Sequence, residues 1–352
     1  MSTSTKMTID HFVLDTNSTG GVLKATANRY RPGSKNRQHQ EPGYILLFAH
    51  GTGFHKELWE PTIERLFEDD NRNDGVSRVL EAWAIDCQNH GEAAPLNDEI
   101  LLNKPGIITI YHYADAFAAL YRSGLLGKLD RSIHKVALLG HSAGAIASVL
   151  TTTLFGPPNA VPFEMVILIE PPMFSPEMAN NMTEMYRIVE KTTSSRRSMW
   201  NSKEEAYMWL KKRSPWKFWD PRILKLHVEH GLRQLPSPFN PDQNGVALIC
   251  RPTNEAAAFS GTSATHKAVE HLNIISSVIP IHLVFGARND MFSREVQDSI
   301  HDPSVGRVIK SVKRVEGAGH LIVQEKPGPL ADTLYSILTN SLRRSQDNYH
   351  KL

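Results

Sequence analysis

A serine between two glycines, a histidine far downstream and two carboxylates between them are the residues of this chain that could perform covalent chemistry together. Ser142 lies in Gly140-His141-Ser142-Ala143-Gly144, after the apolar run Val136–Leu139 and before a stretch of small and aliphatic residues. That strand–turn–helix setting is what a G-x-S-x-G nucleophile needs, because it holds the hydroxyl out at a strand's end over a helix N-terminus that favours developing negative charge. A serine hydroxyl attacks poorly at neutral pH unless a base takes its proton, and a base with a pKa near the working pH is a histidine. Of sixteen histidines, position selects His320. It ends the small-residue loop Glu316-Gly317-Ala318-Gly319-His320 after the last strand pattern, where the order serine, acid, histidine puts the base.

The imidazole needs a carboxylate to fix its tautomer and to stabilise the imidazolium. Glu170 follows the apolar strand pattern Glu164–Ile169 and is locked by Pro171 and Pro172, whereas Asp290 follows a later strand in the turn Gly286-Ala287-Arg288-Asn289-Asp290. Spacing leaves both open. A second glycine-rich turn, His50-Gly51-Thr52-Gly53-Phe54-His55, follows the unbroken apolar run Tyr44–Ala49. Glycines there let backbone N–H groups approach a substrate carbonyl, with Thr52 N–H paired to Ala143 N–H as an oxyanion hole. His50 and His55 have no carboxylate or cysteine at ligand spacing and read as structural. No metal and no organic cofactor is implied.

Elements must bring these residues together. Residues 8–30 read as a hairpin about the turn Asn17–Gly21. Apolar strands follow at 44–49, 76–85, 136–139, 164–169 and 281–285, with a last strand at 307–315, separated by helical patterns that include 56–68, 107–126 and 329–342. Continuous apolar strands alternating with helices argue for an α/β fold, a mostly parallel doubly wound sheet with ligands bound at the strands' carboxyl ends. Ser142, Thr52, Glu170 and Asp290 all fall at such ends.

Between 172 and 265 the character changes to amphipathic helical patterns, with no clear buried strand before Val246–Ile249. This stretch holds six of the ten methionines and four of the six tryptophans. Its net charge is +4, against −2 for the rest of the chain. It reads as a mostly helical lid inserted in a core made of residues 1–171 and 266–352. The stripe Met178, Met182, Met185 serves either as packing or as a soft wall for a bulky apolar substrate.

Composition bounds the function. Hydrophobic content of 41%, charged content of 22% and a net charge of +2 are those of a globular chain without the basic run of a nucleic-acid binder. Two cysteines make neither a disulfide framework nor a thiolate zinc set and fit a reducing compartment. The first residues do not read as a secretory signal, and no run approaches the ~18 apolar residues of a membrane span. The tripeptide His350-Lys351-Leu352 matches the peroxisomal S-K-L address at two of three positions, so an import receptor is an expected partner and the location is cytoplasmic or peroxisomal.

The elbow GHSAG, the turn HGTGF running into KELWEP, the turn DCQNHG and the loop GAGH together resemble the α/β-hydrolase fold. More narrowly, HGTGFHKELWEP resembles fungal secondary-metabolism hydrolases, a group that includes the peroxisomal acyl-CoA hydrolase of mycophenolic acid biosynthesis and the AK-toxin-type biosynthesis hydrolases. The resemblance spans about residues 40–345. It implies Ser142 as nucleophile, His320 as base, oxyanion donors at Thr52 and Ala143, and an acid at the position of Glu170, where the mycophenolate enzyme carries aspartate. Most other members place the acid at the Asp290 position. The expected activity is hydrolysis of an ester or thioester of a bulky apolar acyl group, joined in one version to coenzyme A. The rival readings are carbon–carbon hydrolysis or lyase chemistry on the same fold, and a ligand-binding relative that turns nothing over.

Overall fold

Side chains alternate across a strand, so an apolar run buried on both faces must feed two cores at once. In the strand Gly43–Ala49, Ile45, Leu47 and Ala49 enter one buried cluster while Tyr44, Leu46 and Phe48 enter another. A computed structural model describes residues 7–16, 23–33, 42–72, 78–104, 106–259 and 263–349. Among them the strands in chain order are β1 (Thr8–Thr16), β2 (Leu23–Arg31), β3 (Gly43–Ala49), β4 (Val79–Asp86), β5 (His134–His141), β6 (Met165–Ile169), β7 (Met199–Trp200), β8 (Leu232–Ser237), β9 (Asn240–Leu248), β10 (Ile281–Gly286) and β11 (Ile309–Val315).

Eight strands form one sheet in the order β1-β2-β4-β3-β5-β6-β10-β11. The hairpin β1–β2 pairs antiparallel and joins β4 antiparallel; from β4 to β11 every pair is parallel. This is the mostly parallel sheet expected from the apolar runs. The hairpin's turn at 17–21 lies outside the described residues, as does the tripeptide 350–352. On one face Ile45, Leu47, Leu138 and Leu168 pack with the helices Ile110–Arg122, Ala143–Thr152 and Ser263–Ile275. On the other, Leu46, Phe48, Leu139 and Ile167 pack with Glu60–Arg72 and Pro327–Tyr349. Each such fully buried side chain contributes about 1.5–3 kcal/mol relative to exposure. The layers therefore hold the carboxyl ends of β3, β5, β6 and β10 in fixed register.

The stretch between β6 and β10 carries helices, including Ala179–Ser194, Lys203–Leu210 and Pro221–His230. It also contains a three-stranded antiparallel sheet, β7-β9-β8, that the helical patterning did not disclose. Its strands are short or half exposed, all six residues of β9 before Val246 being exposed or half-exposed, so they lack the apolar run that marks a buried strand. The helix Ser263–Ile275 straddles the expected boundary at 265, and its Ala268, Val269, Leu272 and Ile275 belong to the core beneath the main sheet.

Candidate active site

The turn after β5 is as tight as the glycines require. A Cβ on Gly140 would lie 2.2 Å from the Gly144 carbonyl oxygen, and one on Gly144 would lie 2.4 Å from that of Ala49. Ser142 takes φ 52° and ψ −121°, a region costing a non-glycine residue about 1–3 kcal/mol. The turn is held by the Ser142 N–H, which donates to the Ile169 carbonyl at 3.0 Å. Among the described residues Glu170 is the only other non-glycine with positive φ, at 48°. Both strained residues thus sit at neighbouring strand ends, after β5 and β6.

The strain aims two side chains at one ring. His320 Nε2 lies 3.1 Å from Ser142 Oγ, and His320 Nδ1 lies 3.2 Å from Glu170 Oε2. The other oxygen of Glu170 accepts the Gly286 N–H at 2.6 Å, so a carboxylate that is 1% exposed is satisfied from two sides. The loop carrying the imidazole is tied through its main chain. Arg288 donates to the Gly317 carbonyl at 2.6 Å, the Gly319 N–H donates to Glu325 at 3.1 Å, and the His320 N–H donates to Asp290 Oδ1 at 2.8 Å. His141 Nε2 donates to the His320 carbonyl at 2.8 Å. Since a carbonyl only accepts, His141 carries its proton on Nε2. Burial, followed by the nearby His320, pushes its pKa down to about 3, which keeps the ring neutral.

The structure therefore separates the two candidate acids. Glu170 meets the imidazole. Asp290 does not touch the ring: it holds the backbone of residue 320, is shared with Arg288 at 3.3 Å, and its side chain is 42% exposed. A Cβ at residue 319 would fall 1.7 Å from Asp290 Oδ2, so a side chain there would have to push that carboxylate away from the backbone it holds. His141 is a site residue that reading by chain order passed over. It was visible inside the elbow, but nothing in the sequence said which loop it would face.

Thr52 and Ala143 stand at the two turns that meet at Ser142, where a Cβ added to Gly51 would lie 3.2 Å from the serine Cβ. Neither N–H donates to an acceptor among the described residues. The Thr52 turn is braced by neutral histidines. The Gly53 N–H donates to His90 Nε2 at 2.9 Å, and the Cys87 N–H donates to His50 Nε2 at 3.1 Å. Burial lowers the pKa of His50 to about 4 and that of His90 well below its ordinary value. Glu255, paired with Arg196, lies against Gly53. His55 is bound to Glu57 at 2.8 Å. Both His50 and His55 are thus structural partners of this turn. Glu57, Glu92 and His230 bring ligand atoms within 4.8 Å of one another, but the ammonium of Lys56 lies among them, 2.5 Å from Glu57 and 2.7 Å from Glu92. Burial opposes that charge, yet Asp86 and Glu57 outweigh it and raise the lysine pKa well above normal.

Above the site, Phe54 stacks on His141 and meets Trp219 edge-on, while Phe292 meets His320 edge-on at 5.2 Å. Met182 is buried with Phe292, Phe174 and Tyr186, and Met178 and Met185 pack against that cluster. The methionine stripe is packing that reaches a ring in contact with the imidazole.

A sequence profile of the alpha/beta hydrolase family matches residues 46–333, a span that includes Thr52, Ser142, Glu170, Asp290 and His320. The chain belongs to the alpha/beta hydrolase family. Among curated relatives, this hydrolase is 26% identical over 296 residues to the type I acyl-CoA thioesterase mpaH of Penicillium roqueforti, covering 82% of this chain and 62% of that protein. It is 28% identical over 153 residues to the peroxisomal membrane protein LPX1 of Saccharomyces cerevisiae, covering 42% of this chain and 36% of the relative. The chain thus spans about three-fifths of the length of the mpaH relative. The crystal structure of yeast Lpx1 superposes with a TM-score of 0.70 at 16% identity over 98% of both chains, a likeness of fold. No described helix is long and apolar enough to cross a membrane.

Proposed function

We propose that this alpha/beta hydrolase cleaves an ester or thioester of a bulky apolar acyl group through Ser142, His320 and Glu170. The observation that carries the reading is one imidazole hydrogen-bonded at Nε2 to a strained serine and at Nδ1 to a buried carboxylate. In the first half-reaction Ser142 Oγ attacks the acyl carbon and its proton passes to His320 Nε2. Glu170 fixes the Nδ1–H tautomer and stabilises the imidazolium. The Thr52 and Ala143 N–H groups receive the oxyanion. The imidazolium then protonates the leaving thiolate or alkoxide, leaving an acyl-serine. Water attacks that ester in the second half, giving its proton to His320; the imidazolium returns it to Ser142 Oγ as the acyl–Oγ bond breaks, and free acid departs.

The thioester half of the proposal draws on the name of the mpaH relatives. The acyl half draws on the aromatic and methionine-rich segment 172–265, which we read as a lid. Residence in the peroxisome draws on the LPX1 relative, and a fluorescent fusion with and without residues 350–352 tests it. The decisive experiment is turnover of acyl-CoA thioesters of increasing chain length beside matched p-nitrophenyl esters, with a fluorophosphonate probe on intact protein. We expect labelling at Ser142, and loss of labelling and at least about a 10³-fold fall in kcat in Ser142→Ala. A Ser142→Ala variant that keeps its turnover sinks the reading.

A further inference from the structure

The segment 206–219, Ala206-Tyr-Met-Trp-Leu-Lys-Lys-Arg-Ser-Pro-Trp-Lys-Phe-Trp219, holds four cations, five aromatic rings and no acid. It runs from the helix Lys203–Leu210 through a short helical turn, Trp216–Phe218, to the buried Trp219. Lys211, Lys212, Arg213 and Lys217 are all exposed, and among the described residues none makes an ion pair. Arg213 instead lies 4.2 Å over the Trp209 ring, and Lys217 lies 4.7 Å over Phe218. Charges elsewhere in this lid are mostly matched, as in Arg196–Glu255, Arg197–Glu205, Arg222–Asp220 and Arg233–Asp98. Beside the unmatched four stand two of the most exposed apolar side chains of the molecule, Phe218 at 59% and Met208 at 52%.

A purely anionic partner such as a nucleic acid would account for the lysines but would gain nothing from a bare phenyl ring and thioether beside them. A surface with anionic headgroups over hydrocarbon accounts for both, since each basic side chain gains attraction near it and each apolar tip gains by leaving water. The mounting is rigid. Trp219, the residue after Phe218, is 5% exposed and packs on Phe54, which stacks on His141. The patch is therefore anchored to the same ring cluster that borders Ser142.

We infer that the loop 208–218 is a membrane-docking surface that seats the lid on an anionic lipid bilayer, with Lys211, Lys212, Arg213 and Lys217 at the headgroups and Phe218 and Met208 in the interface. The inference rests on the loop and not on the hydrolytic reading, so it is measured as binding. The assay is co-sedimentation of the Ser142→Ala protein with vesicles of phosphatidylcholine alone or with about 30% phosphatidylserine. We expect binding that depends on phosphatidylserine and is lost at about 1 M salt, where the screening length falls to about 3 Å. The exposed-surface variant Lys211→Gln/Lys212→Gln/Lys217→Gln should partition about 100-fold more weakly, and Phe218→Ser about 10-fold more weakly, both with unchanged thermal unfolding. The inference is overturned if the protein ignores phosphatidylserine vesicles. It is equally overturned if the triple variant binds them as well as the parent, or if single-stranded nucleic acid outcompetes the vesicles.

Discussion

The turn after β6 and the turn after β10 each bring one carboxylate to the same histidine, and they use it in different ways. Glu170 is buried, strained at φ 48° and bound to the ring. Asp290 is partly exposed, shares its charge with Arg288 and binds the main-chain N–H of residue 320. A carboxylate on the imidazole controls where protons sit; a carboxylate on the backbone controls where the imidazole sits. The lesson is that a charged group's role is read from the atom it meets and from its exposure to water, not from its place at a strand's end.

The largest expected effect breaks the comparison at Glu170. Glu170→Gln keeps shape but can present an amide N–H to Nδ1 and so favour the wrong tautomer, and kcat should fall about 10³–10⁴-fold with KM little changed. If Asp290→Asn produces that loss and Glu170→Gln does not, the roles assigned to the two turns are reversed.

Acid comes next, and it acts through two buried histidines at the ends of β3 and β5. For His50 and His141 the folded pKa values of about 4 and about 3 lie below the unfolded 6.5. The unfolded chain therefore binds more protons below pH 6.5. Stability is fully present above that pH and declines as pH falls toward the folded values, by about 1.4 kcal/mol per pH unit for each group. Urea unfolding at pH 7 and pH 5 should differ by about 4 kcal/mol from these two rings together. Equal midpoints would mean that neither histidine is held neutral.

The smallest effect sharpens the comparison. Asp290→Ala frees one main-chain donor, and kcat should fall about 10-fold without a change in the pH at which activity is half-maximal, because the ring's partner remains. A shifted pH midpoint would show instead that Asp290 governs the imidazole's protonation.

Much of this was legible in the chain. The sheet followed from unbroken apolar runs buried on both faces, and the elbow followed from glycines whose Cβ atoms would strike backbone at 2.2 and 2.4 Å. The hairpin β1–β2 was legible from its alternation. Less was legible where signals are weak. Strands β7 and β8 lack an apolar run, and the short helices Ala93–Leu96 and Asp98–Asn103 after β4 are too brief to show a period. The helix Ile110–Arg122 is shorter at both ends than its pattern suggested, and the terminal helix, Pro327–Tyr349, is longer.

The sequence by itself determined that a serine, a histidine and a carboxylate would stand at the carboxyl ends of a parallel sheet, because apolar strand runs and the turns that end them are short-range properties. Only the tertiary structure decided which carboxylate faces the ring, and that His141 of the elbow holds the carbonyl of a residue 179 positions away. Those choices depend on how two distant turns pack. A hydrogen bond of about 3 Å is decided by ångström-scale displacements, which residue spacing along the chain does not encode.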